Sequence, residues 1–202
     1  MNSTEICNMA LSAIAKGRIV SISEDSEAAR QCKIYYDQLR KNLLSLFRWG
    51  FADKSAKLAL VNTDIPKWTY AYAYPNDCLV VRQLYNREGG ILYDASRKDT
   101  DYHEYDVSAI SDSVKIIMCD IPNAYLDYTA DVKNAEQFSS WFCEALAHYL
   151  AAHLAMPLTA SESTAQAEMQ LYQISIQQAM AASAIEVHHK PEYPTAYADA
   201  RR

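Results

Sequence analysis

The stretch WTYAYAYPNDCLVVRQLY, residues 68 to 85, decides how the rest of the chain is read. Trp68, Tyr70, Tyr72 and Tyr74 alternate with Thr69, Ala71 and Ala73, a two-residue period that an extended strand turns into one aromatic face. Pro75, Asn76 and Asp77 carry turn chemistry, and residues 78–85 resume as a strand rich in Leu and Val, which predicts an antiparallel meander. A second turn over residues 86–90 leads to Ile91, Leu92 and Tyr93. Short strands are also expected at residues 57–61, 102–107, 114–119 and 125–128, about six or seven in all, in a twisted sheet, sandwich or small barrel.

On either side of this block the period is helical. Asn2 and Glu5 stand three apart ahead of Ile6, Ala10, Ala13 and Ile14, a capping box opening a short helix that ends near Gly17. Ala29, Cys32, Tyr36, Leu39, Leu43 and Leu46 then recur on one face of a long helix ending before Gly50. Its opposite face, with Arg30, Lys33, Asp37, Arg40 and Lys41, is expected in solvent or against a neighbour. Asn134 and Gln137 form a second capping box, followed by an apolar face of Phe138, Trp141, Phe142, Ala145, Tyr149 and Ala152 that Pro157 should end. Thr159 and Glu162 open a last helix through Met169, Tyr172, Ile176, Ala179, Met180 and Ser183. The expected class is α+β. Residues 1–52 and 133–187 form a helical bundle, 53–132 an inserted antiparallel β domain, and 188–202 an extended C-terminal arm.

Composition removes whole classes of function. Among 202 residues only four are glycine, and none has the spacing of a phosphate-cradling loop. A net charge of -6 argues against tight nucleic-acid binding. Five scattered cysteines without a C-x-x-C pair suggest reduced thiols and no structural zinc. No apolar run approaches a membrane span, and nothing near Met1 reads as a secretion signal, so a soluble cytoplasmic origin is expected.

Candidate sites have ordinary structural explanations. Cys143, His148 and His153 stand at steps of five, about 140° apart around a helix, so they diverge rather than converge on a metal. Asp99, Asp101, His103, Glu104 and Asp106 resemble a calcium loop in outline, but Glu104 takes the place of the required glycine and Ile110 that of the bidentate carboxylate. His188 and His189 suit the negative end of a helix dipole. The 15 tyrosines fit either a sheet face or a half-buried contact surface. Charge distribution says more: residues 140–187 contain 12 alanines, four glutamates (Glu144, Glu162, Glu168, Glu186) and no Lys or Arg. Such helices suit close packing within a bundle or between copies, or a surface that DNA passes without sticking.

The run Arg40, Leu43, Leu44, Trp49, Gly50, Phe51, continuing through Leu58, Leu60, Trp68, Tyr70, Tyr72, Tyr74, Pro75, Asp77, Cys78 and Leu79, resembles tail tubular protein A, the head-to-tail adaptor family of short-tailed phages. The likeness covers most of the chain, from the helix end at residues 10–17 to the helix over 138–152, and its motifs are hydrophobic and structural. It implies a virion protein assembled in the host cytoplasm as a ring of twelve copies. That ring would join portal to tail nozzle around the DNA channel, without catalytic residues, metal or cofactor. Glu162 and Glu168 are then the first candidates for the channel wall. Pro191, Tyr193, Pro194, Tyr197, Arg201 and Arg202 would form a portal-binding arm. The alternatives are a tail-associated cell-wall hydrolase working through two carboxylates, and a free cytosolic regulatory module.

Overall fold

Short polar side chains set where the helices begin. The computed structural model describes residues 1–63, 65–86, 104–111 and 114–186. Helix α1 (Ser3–Ala13) opens on the expected capping box: Asn2 Oδ1 accepts the Glu5 N–H at 2.9 Å, and Glu5 Oε2 accepts the Asn2 N–H at 2.8 Å. Ser26 caps α2 (Glu27–Leu46), Ser139 caps α3 (Ser140–Thr159), and Ser161 Oγ accepts the Thr164 N–H at the start of α4 (Glu162–Glu186).

Three of the expected boundaries move, the last helix being capped by Ser161 because Thr159, expected to open it, closes α3 and donates its hydroxyl to Ala155 O. Asn134 opens only a 3-10 turn, Ala135–Gln137, after which Phe138 turns inward against the rings of Phe51 and Phe142. Ser139 therefore becomes the cap of α3. Pro157 lies inside the last turn of α3 instead of ending it. A proline so near the end removes a single donor, and the helix stops at Ala160, whose left-handed φ of 52° directs its N–H to Met156 O at 3.0 Å.

The helices are arranged about α3, which is buried along most of its length. Helices α1 and α2 pack on it, while α4 folds back along it through a link of Ala160 and Ser161 and makes no comparable contact with α1 or α2. An aromatic group formed by Phe47, Trp49, Phe51, Phe138 and Phe142 fills the corner where α2 passes into the β region. Trp49 is fully buried there, and its indole N–H donates to Leu43 O at 2.9 Å.

The strands are β1 (Asp53–Lys57), β2 (Tyr70–Ala73), β3 (Cys78–Asn86), β4 (Tyr105–Ser111), β5 (Val114–Cys119) and β6 (Ala124–Ala130). They form two three-stranded antiparallel sheets, ordered β1-β6-β3 and β2-β5-β4. The fold is α+β, with an antiparallel block between two helical pairs, and the described strands close neither a barrel nor a sandwich. The strand expected at 91–93 lies outside the described residues.

Strand alternation was read correctly but its pairing was not. Strands β2 and β3 belong to different sheets, so the expected meander between them is absent. The turn at 75–77 is fastened to the β1-β6-β3 sheet: Asp77 O accepts the Asp131 N–H at 2.6 Å, and its carboxylate binds Tyr128 Oη and Lys54 Nζ at 3.0 and 2.7 Å. The strand expected at 57–61 is likewise divided. Residues 53–57 pair with β6, after which the chain crosses to the edge of β2, where Val61 N–H donates to Ala71 O and Ala73 N–H to Ala59 O, both at 2.8 Å. A segment that changes sheets ties them together. One hydrophobic core then runs from Leu11 and Leu146 through Trp49 to Ile117 and Leu126.

Three side chains depart from their expected environments. Leu46 and Trp141 are largely exposed, because each lies at one end of its helix, beyond the packed turns. Arg40, expected on the open face of α2, is only 1% exposed. Its guanidinium donates to Val132 O and Asp37 Oδ1, each at 2.6 Å, and lies 2.6 Å from Asp131 Oδ1. It thereby holds the middle of α2 to the chain leaving β6.

Candidate functional site

Most polar clusters among the described residues are structural. Cys7 and Cys32 meet between α1 and α2, both fully buried; the contact with Cys32, and then burial, push the Cys7 thiol up. Burial likewise raises Cys143. The same Cys7–Cys32 contact lowers Cys32, but that thiol is fully buried against Cys7; Cys7 and Cys143, held protonated, are poor nucleophiles and poor metal ligands. The nearby Tyr36 hydroxyl is buried without a hydrogen-bond partner, and desolvation pushes it up as well.

The histidines diverge as their spacing predicts. His148 Nδ1 lies 2.8 Å from Glu168 Oε2 across the α3–α4 interface. His153 Nδ1 lies 2.9 Å from Tyr149 O, and its ring contacts Tyr35 and Tyr149. Cys143 stands apart, and no group of three or more His, Cys, Asp or Glu able to hold a metal occurs among the described residues. Of the calcium-loop-like stretch, Asp106 is already occupied, accepting from Trp68 Nε1 at 2.9 Å and Lys67 Nζ at 3.2 Å. The Trp68 and Lys67 bonds hold its carboxyl below the usual range. Asp99, Asp101 and His103 lie outside the described residues, as do His188 and His189.

The aromatic face is largely internal. Tyr72 is buried, donating from its hydroxyl to Ile121 O at 2.7 Å, while Tyr70 and Tyr74 are half-buried beside it. The ordinary sheet-face reading holds for Tyr72.

What remains is the outer side of α4, which has three faces. The inner one buries Glu168, Ser175, Ile176, Ala179 and Ser183 against α3, with Tyr172 stacked on Tyr149 at 4.3 Å. A second carries Glu162, Gln166, Gln170, Gln173 and Gln177, all exposed. Glu162 Oε1 accepts from Gln166 Nε2 at 3.1 Å. The third, about 100° round from the glutamines at 100° per residue, is apolar and open: Leu171, Ile174 and Ile185 are 43%, 55% and 69% exposed.

These faces separate the residues singled out in the sequence. Glu162 is exposed on the polar edge, whereas Glu168 points inward to His148 and is unavailable to anything outside the protomer. The structure thus does not place the two together. Pro191, Tyr193, Pro194, Tyr197, Arg201 and Arg202 lie outside the described residues. The open apolar face escaped sequence reasoning because the inner face, with its own helical spacing, accounts for the periodicity. Its signal was a second register of apolar residues at 171, 174, 181 and 185. Among the described residues no helix is long and apolar enough to cross a membrane. In comparisons with known proteins, neither a family model nor a curated sequence matches this chain.

Proposed function

We propose that the chain is a structural head-to-tail adaptor of a phage virion, a ring of twelve copies joining portal to tail nozzle around the DNA channel. The copy number and the two partners come from the family likeness. The observation that carries the reading is the α3–α4 hairpin, which has no Lys or Arg and presents a run of glutamines beside an unguarded apolar face. A wall past which DNA slides must offer phosphates few cations, because each such contact adds nonspecific affinity. Under this reading the Glu162–Gln177 edge faces the channel, and Glu168 supports it from behind. Residues 188–202 act as the portal-binding arm: Pro191 and Pro194 limit the entropy lost on ordering, Tyr193 and Tyr197 fill pockets, and Arg201 and Arg202 meet acidic groups. The protein then resides in the virion at the head–tail junction, after assembly in the host cytoplasm.

The test is the mass of the full chain in solution with and without purified portal. A defined ring on portal is expected, and a monomer that ignores portal refutes the adaptor reading. Deleting residues 190–202 should leave helical content unchanged while weakening portal attachment. If the truncated chain binds portal as tightly as the intact one, the arm assignment is wrong.

A further inference from the structure

Cys7 on α1 touches Cys32 on α2, and both side chains are wholly buried in the core between those helices. Their hydrogen bond raises Cys7 and lowers Cys32, so Cys7 is the S–H donor and Cys32 the accepting sulfur. The other three cysteines have different surroundings. Cys78 meets the Tyr74 hydroxyl, Cys119 the Ile121 backbone, and Cys143 is raised chiefly by burial.

The local backbone favours closure of this pair. The α1 and α2 backbones come within 8 Å of each other, while α1 rests mainly on α3. A small shift of α1 toward α2 therefore carries the sulfurs from contact to the about 2.05 Å of an S–S bond. The connecting chain is pinned back on α1: Asn8 Oδ1 accepts the Ile19 N–H at 2.9 Å, and Asn8 Nδ2 donates to Ile19 O at 3.0 Å. That clamp keeps α1 beside the start of α2. One turn beyond Cys32 and near Cys7, Tyr36 carries the one buried hydroxyl without a hydrogen-bond partner among the described residues. It offers a small polar oxidant a group to bond within an otherwise apolar core.

We propose that Cys7 and Cys32 are a latent disulfide, closed by a peroxide once the chain leaves a reducing compartment, which ties α1 to α2. The inference stands on these two side chains and does not depend on the adaptor reading. Hydrogen peroxide transfers one oxygen to the Cys32 sulfur, giving a sulfenic acid and one water. The accepting sulfur that held the Cys7 proton is then gone. The Cys7 sulfur displaces the hydroxyl from Cys32, and its proton leaves with that hydroxyl as a second water. Two thiols thus lose two electrons and two hydrogens while one peroxide is reduced to two waters. Full burial admits an oxidant little larger than water and holds off bulkier ones such as oxidised glutathione until α1 opens. Closing a loop over residues 8–31 restricts the unfolded chain, so oxidation stabilises the bundle.

The test treats the full chain, purified reduced, with equimolar hydrogen peroxide and then alkylates the remaining thiols in denaturant. Peptide masses should show Cys7 joined to Cys32 with the loss of two hydrogens, and Cys78, Cys119 and Cys143 alkylated. The oxidised chain should have a urea midpoint about 1–2 M above that of the reduced chain. Oxidised glutathione, applied to the folded chain, should close the bond at least about tenfold more slowly. Cys7→Ala should abolish the midpoint difference between treated and untreated protein, whereas Cys143→Ala should keep it. If Cys7→Ala fails to fold, the masses from the unaltered chain still decide. Both thiols left open to alkylation, Cys32 carried on to sulfinic acid, or a bond formed between copies would each overturn the proposal. A Cys7–Cys32 bond that leaves the midpoint unmoved would overturn it too, because the two helices would then gain nothing from being tied.

Discussion

Replacing Arg40 with methionine tests whether one buried cation fastens the helices to the β region. Methionine keeps an unbranched apolar stem, so loss of packing is kept small and the effect isolates the guanidinium. The three partners lost are unequal. Asp37 is 58% exposed and recovers water, so its ion pair contributes at most about 1 kcal/mol. The Val132 carbonyl loses a buried donor, at a cost of about 1–3 kcal/mol. Asp131, 14% exposed, keeps a charge with no compensating cation. Together these predict a loss of about 3–5 kcal/mol, the range for breaking a buried pair from one side. Urea unfolding followed by circular dichroism measures it directly. Adding Asp131→Asn should restore part of the loss, with a coupling of roughly 1–3 kcal/mol in a double-mutant cycle. A stability within about 1 kcal/mol of the parent, or strict additivity, would refute the assigned role.

Tyr72→Phe should cost about 1–2 kcal/mol in the same assay, because it leaves the Ile121 carbonyl without its buried donor. Asp77 has its carboxyl lowered by Lys54, with Tyr128 assisting, so it stabilises the fold fully above the ordinary carboxylate range and loses that contribution as pH falls through the lower folded value. Asp77→Asn should therefore flatten the acid limb of a stability–pH curve, and an unchanged limb would count against the turn's electrostatic anchor. Under the proposed adaptor reading, Glu162→Lys combined with Gln170→Lys should slow DNA ejection by adding phosphate contacts in every copy. Normal ejection kinetics would count against the Glu162–Gln177 edge as a channel wall.

Much of the helical part was legible because its signals are local. Asn2 and Glu5 lie within one turn of each other, and the 29–32–36–39–43 series needs only the pitch of a helix to be read. The misplaced start at Asn134 shows the limit of such signals. Two capping side chains, Asn134 and Ser139, compete there, and the burial of Phe138 against Phe51, distant in sequence, decides between them. In the β region, alternation identified the strand at 70–73 but cannot name a partner strand. Partnering depended on contacts such as Asp77 with Tyr128, which are remote in sequence. Arg40 was misread for a related reason: the carbonyl and carboxylate that bury it lie at 131 and 132. On α4, sequence marked the absence of positive charge but could not tell which glutamate the fold turns inward. The contact of Glu168 with His148 settles that across an antiparallel helix pair.

The two-residue link between α3 and α4 bears on how copies of this chain can mix. Ala160 and Ser161 allow at most about 11 Å between the Cα atoms of Thr159 and Glu162, only just enough for the usual 8–10 Å between packed helix axes, so the hairpin closes with little slack. A link this short can also straighten and carry α4 onto a neighbour's α3, so exchange of α4 is the route by which this hairpin would swap between copies. Copies that keep their own hairpin should intermix, tagged with untagged, by simple dissociation, whereas swapped copies would intermix only through the slow undocking of α4, so the exchange rate tells the two apart.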